Sequence, residues 1–348
     1  MKKIGVIFGG MSTEHDVSIV SGTSVIKNLD KTKYEIYPIY IDQKGNWYKY
    51  SDPEEKILEV GAKINATEKI ENIIEYLKNL DVLFPVLHGL YGEDGTIQGL
   101  FELLNIPYVG CKVLSSCIGM DKVYTKIVLG KANIPQAKSV YIRKYNENYI
   151  YIDEFFNETI LSLKDLCLII SNKLGFPLFV KPSNSGSSVG VNKAKTLEEL
   201  EHCIEFASKY DKKVLVEEFI NGREVECAVI GNEDVKASCI GEILPAEEFY
   251  SFDAKYKNSN SALCIPANLP ENISKEIRTL AIKAFKAIDG KGLSRVDFFV
   301  DKATSKIYLN EINTLPGFTN ISMYPKLWEE TGIKYSELLD KLIELSLE

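Results

Sequence analysis

Short apolar runs alternate along this chain with amphipathic stretches and glycine-marked turns, the pattern of an α/β protein. Lys3–Phe8 predicts a strand running into Gly9-Gly10, followed by a helix over roughly Val17–Asn28. Ser12 or Thr13 is placed to cap that helix, and Glu14 falls in its first turn. On position alone Glu14 equally well relieves the helix dipole. Tyr34–Asp42 reads as a second strand, turned back by Gly45-Asn46 toward Trp47–Tyr50, and Ile70–Asn79 as an amphipathic helix. Asp81–Leu87 is almost unbroken in its apolar character, as expected of a strand buried in a parallel sheet. It runs into His88-Gly89.

The strand ends at Gly9-Gly10 and His88-Gly89 are expected at one edge of one sheet, where α/β folds hold ligands. Residues 1–113 are therefore read as a Rossmann-like domain. Gly119–Lys122 opens a helix that Ile134-Pro135 stops near Ala132. Tyr141–Leu166 is polar, tyrosine-rich and without clear period, so it reads as an irregular excursion, with a helix over Asp165–Leu174. Phe176–Pro182 carries Lys181 in an apolar strand, and Val191–Ala194 returns from it. The tip between them, Ser183–Gly190, is rich in Gly and Ser and bares backbone N–H groups that suit a phosphate. It lacks the Gly-Lys-Ser/Thr ending of a P-loop. Glu198–Tyr210 predicts a helix, and Lys213–Glu217, Glu224–Ile230 and Gly241–Leu244 predict strands. The strand connector 218–224 reads as a hinge, and the long polar stretch Pro245–Leu263 as a docking lid. Glu271–Asp289 and Tyr335–Leu347 complete the helices.

The densest chemistry lies in Leu293–Val300 and Ile307–Thr319, two apolar runs joined by a short break. In a hairpin Asp297 faces Glu311, while Arg295 and Asn313 share their face at a spacing of two. Acids inside apolar strands, rather than on their rims, point to hard oxygen ligands for Mg²⁺ beside nucleotide phosphates.

Composition narrows the partners. At 348 residues, 45% hydrophobic and 26% charged, the chain is an ordinary globular protein of two or three domains. A net charge of −8 argues against nucleic acid or an anionic membrane as partner. Seven scattered cysteines without a Cys-x-x-Cys pair suit reduced thiols and a cytoplasmic location. The apolar run at the N-terminus is shorter than a signal peptide requires, and no stretch approaches the length of a membrane span.

Eight motifs in order resemble the D-alanine–D-alanine ligases of the ATP-grasp superfamily. They are Gly9-Gly10-x-Ser12-x-Glu14-x-x-Val17-Ser18; His88-Gly89 with Gly92–Thr96; Met120-Asp-Lys122; Val180-Lys-Pro182; Gly186–Gly190; Phe249-Tyr250 with Ala254-Lys-Tyr256; Arg295-Val-Asp297; and Asn310–Thr319. The resemblance implies an ATP-grasp module after the first domain, with a central part over 114–217 and a metal-bearing catalytic part over 218–348. It implies that Lys122, Lys181 and Lys255 contact ATP phosphates, with Gly186–Val189, including Ser188, closing over them. Glu217, Glu218 and Ile220 would bind adenine and Glu224 the ribose, although many members have lysine where Glu218 stands. Asp297, Glu311 and Asn313 would hold two Mg²⁺ ions, with Mn²⁺ as a substitute.

The implied reaction is ATP-dependent ligation of two D-alanines through an acyl phosphate, supplying a dipeptide for peptidoglycan. Glu14 would bind the first ammonium, Ser187 and Tyr256 would couple it to the loop, and His88 would lie near the first substrate. Arg295 and the Gly317 N–H would face the oxyanion, and Ser322 the second carboxylate. A homodimer is expected by analogy. Tyr256 is the residue of amide-forming members, which disfavours D-lactate as second substrate and leaves D-serine open. Another ATP-grasp carboxylate–amine ligase fits less well, because Glu14, Ser187 and Tyr256 occur together. A silent nucleotide-binding module predicts losses among Lys181, Asp297, Glu311 and Asn313, and none is lost.

Overall fold

The computed structural model describes residues 1–52, 56–64, 68–244, 262–319 and 321–348. The first part contains β1 (Lys2–Gly9), α1 (His15–Asn28), β2 (Tyr34–Ile41), β3 (Trp47–Lys49), β4 (Glu68–Lys69), α2 (Ile73–Lys78), β5 (Val82–Val86) and α3 (Thr96–Leu104). The sheet order is β4-β3-β2-β1-β5, with β1 parallel to both β2 and β5. All of β5 is buried, as its unbroken apolar run requires. Since β1 and β5 are parallel neighbours, Gly9-Gly10 and His88-Gly89 emerge side by side at one sheet edge.

Two local expectations change. Neither Ser12 nor Thr13 caps α1, because the N-cap position falls on Glu14. Ser12 Oγ instead accepts from the Glu14 N–H at 3.1 Å and donates to the His88 carbonyl at 2.6 Å, tying the β1 loop to the end of β5. Helix α2 is shorter than its apolar period, because Asn72 caps it by accepting from the Glu75 N–H.

Next come α4 (Val113–Met120), α5 (Lys122–Lys131), β6 (Ser139–Tyr145), β7 (Asn148–Ile152), β8 (Glu158–Leu161), α6 (Leu163–Leu174), β9 (Leu178–Pro182), β10 (Asn192–Ala194), α7 (Leu197–Ala207) and β11 (Lys213–Glu218). The second sheet runs β10-β9-β11-β6-β7-β8. Tyr141–Leu166 is therefore no irregular excursion. It forms an antiparallel meander completing that sheet, turned at Asn146, whose φ of 54° suits a tight hairpin. Its outer strand β8 is almost wholly exposed, so no buried face wrote an alternating pattern there.

The third sheet comprises β12 (Gly222–Ile230), β13 (Lys236–Leu244), β14 (Ala262–Cys264), β15 (Leu293–Asp301) and β16 (Ile307–Asn313), in the order β14-β13-β12-β15-β16. Helices α8 (Glu271–Ala287), α9 (Met323–Glu330) and α10 (Tyr335–Ser346) complete the chain. Helix α8 packs Ile277, Ala281 and Phe285 against this sheet, in a core that Leu129 of α5 also joins. Helices α9 and α10 cross back to the first sheet. Trp328, Leu338 and Leu342 share one core with Ile4, Phe8 and Phe84. Among the described residues no helix is long and apolar enough to cross a membrane.

Candidate active site

The β15–β16 hairpin has the register its sequence implies: Asp297 is the partner of Glu311, and Arg295 of Asn313. The pairing slips just beyond Asp297, so Phe298 meets Leu309 and Asn310 is left over as a bulge. Asp297 is 3% exposed, and both its oxygens accept from Arg295, from Nε at 2.8 Å and Nη2 at 2.7 Å. Burial works against the Arg295 charge, but Asp297, Glu226 and Glu311 more than offset it and hold the guanidinium protonated. Asn313 is oriented by its Oδ1, which accepts from the Leu315 N–H at 3.1 Å. Among the described residues no three His, Cys, Asp or Glu side chains form a complete metal cluster. Two carboxylates and one amide make an oxygen-only, incomplete set, which fits a hard divalent cation whose remaining ligands come from phosphates and water.

Facing this row is a group of lysines. Lys181, on β9, donates to Asn310 Oδ1 at 3.2 Å, so the bulged residue braces it. The two oxygens of Glu217 on β11 are shared between Lys181 (2.5 Å) and Lys126 of α5 (2.7 Å). Burial pushes the Glu217 carboxyl up, yet the two ammonium groups outweigh it and leave it at about 2. Lys122 opens α5, just after Asp121, which caps the helix by accepting from the Val123 and Tyr124 N–H groups. Its Nζ donates to the Ser185 carbonyl at 2.6 Å and lies 3.8 Å from Glu311. One lysine thus spans the Gly/Ser-rich tip and the carboxylate row.

The tip reaches the first domain. Ser187 and Ser188 both have positive φ, 48° and 61°, and the Ser187 hydroxyl donates to Glu14 Oε1. Glu14 is 8% exposed. A Cβ on Gly89 would stand 2.6 Å from Glu14 Oε2, and one on Gly186 would stand 3.0 Å from it. The carboxylate therefore lies between two backbones that approach it only because both residues are glycine.

His88 is buried beside this point. Its Nε2 is 3.0 Å from Ser21 Oγ and its Nδ1 is 3.2 Å from the Leu315 carbonyl. Ser21 Oγ also accepts from the Phe318 N–H at 3.2 Å, so α1 and the loop after β5 both hold the Pro316-Gly317 turn. Gly317 is needed for close approach, since a Cβ there would stand 2.8 Å from Ser322 Oγ. Ser322 precedes α9 and accepts from the Thr319 N–H at 3.0 Å.

At the hinge, Glu218 Oε1 accepts from the Lys138 N–H at 2.8 Å, and the Ile220 carbonyl accepts from the Gly222 N–H at 2.9 Å. Glu224 is half-buried on β12, near enough to Lys181 to favour its charge. Lys255 and Tyr256, with most of the expected lid, lie outside the described residues.

Four side chains here receive no role from the sequence. Lys126 lies one helical turn beyond Lys122, a spacing that could have flagged it. Asn310 needed the bulge, which strand alternation does not reveal. Glu93 is half-buried against His88, with Oε1 3.7 Å from Nδ1 and accepting from the Gly89 N–H at 2.9 Å. Burial raises its carboxyl above the ordinary range. Glu226 lies on β12 directly across from Asp297.

The comparisons with known proteins agree with this arrangement. The family described as D-ala D-ala ligase N-terminus matches residues 3–111, and that described as D-ala D-ala ligase C-terminus matches residues 146–344. The chain is 50% identical to a D-alanine–D-alanine ligase of Acetivibrio thermocellus, over all of this chain and 96% of the relative. It is 51% identical to one of Clostridium acetobutylicum, over 99% and 98% of the two chains. Its fold superposes on the VanG D-Ala:D-Ser ligase of Enterococcus faecalis with a TM-score of 0.85 at 38% identity, covering 99% of both chains. By sequence over its whole length and by fold, the chain belongs to the D-alanine–D-alanine ligase family.

Proposed function

We propose that this protein joins two D-alanines at the expense of one ATP, giving D-alanyl-D-alanine, ADP and phosphate. Its full-length relatives at about half identity bear that name. The observation that carries the reading is the contact between Ser187 and Glu14. It joins the Gly/Ser-rich tip, with Lys122 and Lys181 behind it, to a buried carboxylate at the ligand edge of the first sheet.

Each residue then has a task. Glu14 receives the ammonium of the first D-alanine and orients its carboxylate toward the γ-phosphate. Lys122, Lys181 and Lys255 offset phosphate charge, while the backbone of 186–189, with Ser188, covers it. Glu217, Glu218 and Ile220 line the adenine and Glu224 meets the ribose. Asp297, Glu311 and Asn313 would hold two Mg²⁺, or Mn²⁺ in their place, which when bound shield the phosphate oxygens during transfer.

The substrate carboxylate oxygen attacks phosphorus, the bond to ADP breaks, and an acyl phosphate forms. The amine of the second D-alanine, placed by Ser322 and Gly317 through its carboxylate, then attacks the acyl carbon. Arg295 and the Gly317 N–H meet the oxyanion, each worth about 3–4 kcal/mol in such sites. Phosphate leaves as the carbonyl reforms. His88, held by Ser21 and Glu93, fixes the wall beside the first substrate. Tyr256 couples Glu14 and Ser187 to the lid, whose closure keeps water from the acyl phosphate.

The parts 1–113, 114–217 and 218–348 serve as substrate, nucleotide-covering and catalytic domains, a division the three sheets support. Free thiols at all seven cysteines suit the cytoplasm, and a homodimer follows the family analogy. D-serine as second substrate is the alternative, prompted by the D-Ala:D-Ser ligase with the same fold. Phosphate release from ATP, with D-alanine alone or paired with D-serine or D-lactate, decides. D-alanine alone is expected to sustain turnover. Release stimulated by none of the three would end the ligase reading.

A further inference from the structure

Ser21 is wholly buried in α1, yet its hydroxyl is engaged outside its own helix. Two residues on, Thr23 makes the ordinary bond of a helical hydroxyl, with Oγ1 donating back to the Ile19 carbonyl at 2.8 Å. Ser21 instead accepts from the Phe318 N–H, 297 residues further along the chain, at 3.2 Å. His88 sets the direction of its remaining hydrogen. The Leu315 carbonyl, 3.2 Å from Nδ1, can only accept, so Nδ1 carries a ring hydrogen. Nε2 of the neutral ring is then a bare acceptor, and at 3.0 Å it takes the Ser21 O–H. The lone pairs of Ser21 are left for the Phe318 N–H.

The same turn is gripped from a second side, where Tyr335 of α10 donates to the Phe318 carbonyl at 2.7 Å. The Leu315–Pro316 peptide is thus held through its carbonyl by His88, and the Gly317–Phe318 peptide through its N–H by Ser21. Between these two pinned peptides lies the one that carries the Gly317 N–H. The proposed function, on which this inference rests, aims that N–H at the oxyanion. Pro316 fixes φ on one side of it, but Gly317 would leave the other side nearly free to turn. We propose that Ser21 is a positioning residue for the second half of the reaction. With Tyr335 at the far end, it locks the peptide after Gly317 and so keeps the Gly317 N–H on the carbon that the second amine attacks. The earlier phosphoryl transfer, which rests on the lysines and the carboxylate row, makes no use of this turn.

The test reads the two half-reactions separately. In a single turnover, with enzyme in excess over ATP and with Mg²⁺ and saturating D-alanine, rapid quenching counts ADP, which reports phosphoryl transfer, and D-alanyl-D-alanine, which reports the attack. Saturation removes any loosening of His88 beside the first substrate from the readout. Ser21→Ala is expected to slow dipeptide formation about ten- to hundredfold, the scale for a reacting group misplaced by about 1 Å, while ADP appears at close to the wild-type rate. Tyr335→Phe reaches the same turn without touching His88 and is expected to show the same split. Thermal melts show that each variant is folded; should Ser21→Ala not fold, Ser21→Cys, similar in volume but a weaker acceptor, replaces it. A folded Ser21 variant with the wild-type rate of dipeptide formation would overturn the proposal. So would equal slowing of both steps, the mark of general damage. Wild-type protein that forms ADP but no dipeptide, or neither, would instead refute the ligase reading itself.

Discussion

Lys181 lies 2.5 Å from Glu217, in a cleft also lined by Lys122, Asn310 and Glu311. Glu217 is buried and Lys181 half-buried, and Lys126 holds the other carboxylate oxygen. The lysine that would meet phosphate is therefore kept charged and in place by a residue from a neighbouring strand. Burial opposes the Lys181 charge, but Glu217, followed by Glu311 and Glu224, raises its affinity for the proton above the ordinary value.

Glu217→Gln should leave two largely buried ammonium groups without their shared counter-charge, a loss of about 3 kcal/mol in stability. The pH dependence has a definite sign. The Glu217 carboxyl is lowered from 4.5 to about 2 on folding, so its contribution is complete above pH 4.5 and disappears as the pH falls toward 2. Denaturant melts of wild type and variant should differ fully at neutral pH and converge through that window. A gap that persists unchanged at pH 2 would contradict the assignment.

Asp297→Asn removes one metal charge and one partner of Arg295, while Glu226 remains beside the guanidinium. Turnover should fall on the order of a hundredfold or more, because metal charge stabilisation is worth several kcal/mol. The melting temperature should move little by comparison. An active variant with unaltered Mg²⁺ dependence would refute the role of this carboxylate.

Gly89→Ala places a Cβ only 2.6 Å from Glu14 Oε2, at a backbone φ of 73° that disfavours any side chain. Glu14 is expected to swing aside. The KM for the first D-alanine should rise about tenfold or more, since a hydrogen bond to a charged group is worth roughly 1.5–3 kcal/mol. The KM for ATP should hardly change, which separates a displaced Glu14 from general damage. Initial-rate kinetics in each substrate distinguish the two cases.

The parts legible in the sequence share a physical reason. Strand β5 is buried on both faces and wrote an unbroken apolar run, and the β15–β16 hairpin is apolar enough that Asp297 and Glu311 stood out within it. Strand β8 has no buried residue and leaves no pattern, so the sequence reads the meander it closes as irregular. Helix α9 leaves no clear mark in the sequence because it is short and begins only four residues after the motif end at Thr319, where the chain still looks like a loop. The three-residue relation of Glu226, Asp297 and Glu311 is a matter of strand order, which spacing along a single chain does not encode.

The shared core of α9, α10 and the first sheet has a consequence for how the protein is made. Tyr335 donates to the Phe318 carbonyl and lies 3.2 Å from Ser24 Oγ, and Lys33 pairs with Asp340 at 2.6 Å. Leu338, Leu339 and Leu342 fill the space beside Val82, Phe84 and α1. A ribosome delivers β1, α1 and β5 long before α10, by tens of seconds at roughly 5–20 residues per second. During that interval the first sheet has one apolar flank bare, and only the last helices seal it. The substrate domain, first to emerge, is thus the last to be finished, and a nascent chain arrested before α10 would be held in an adhesive, chaperone-dependent state.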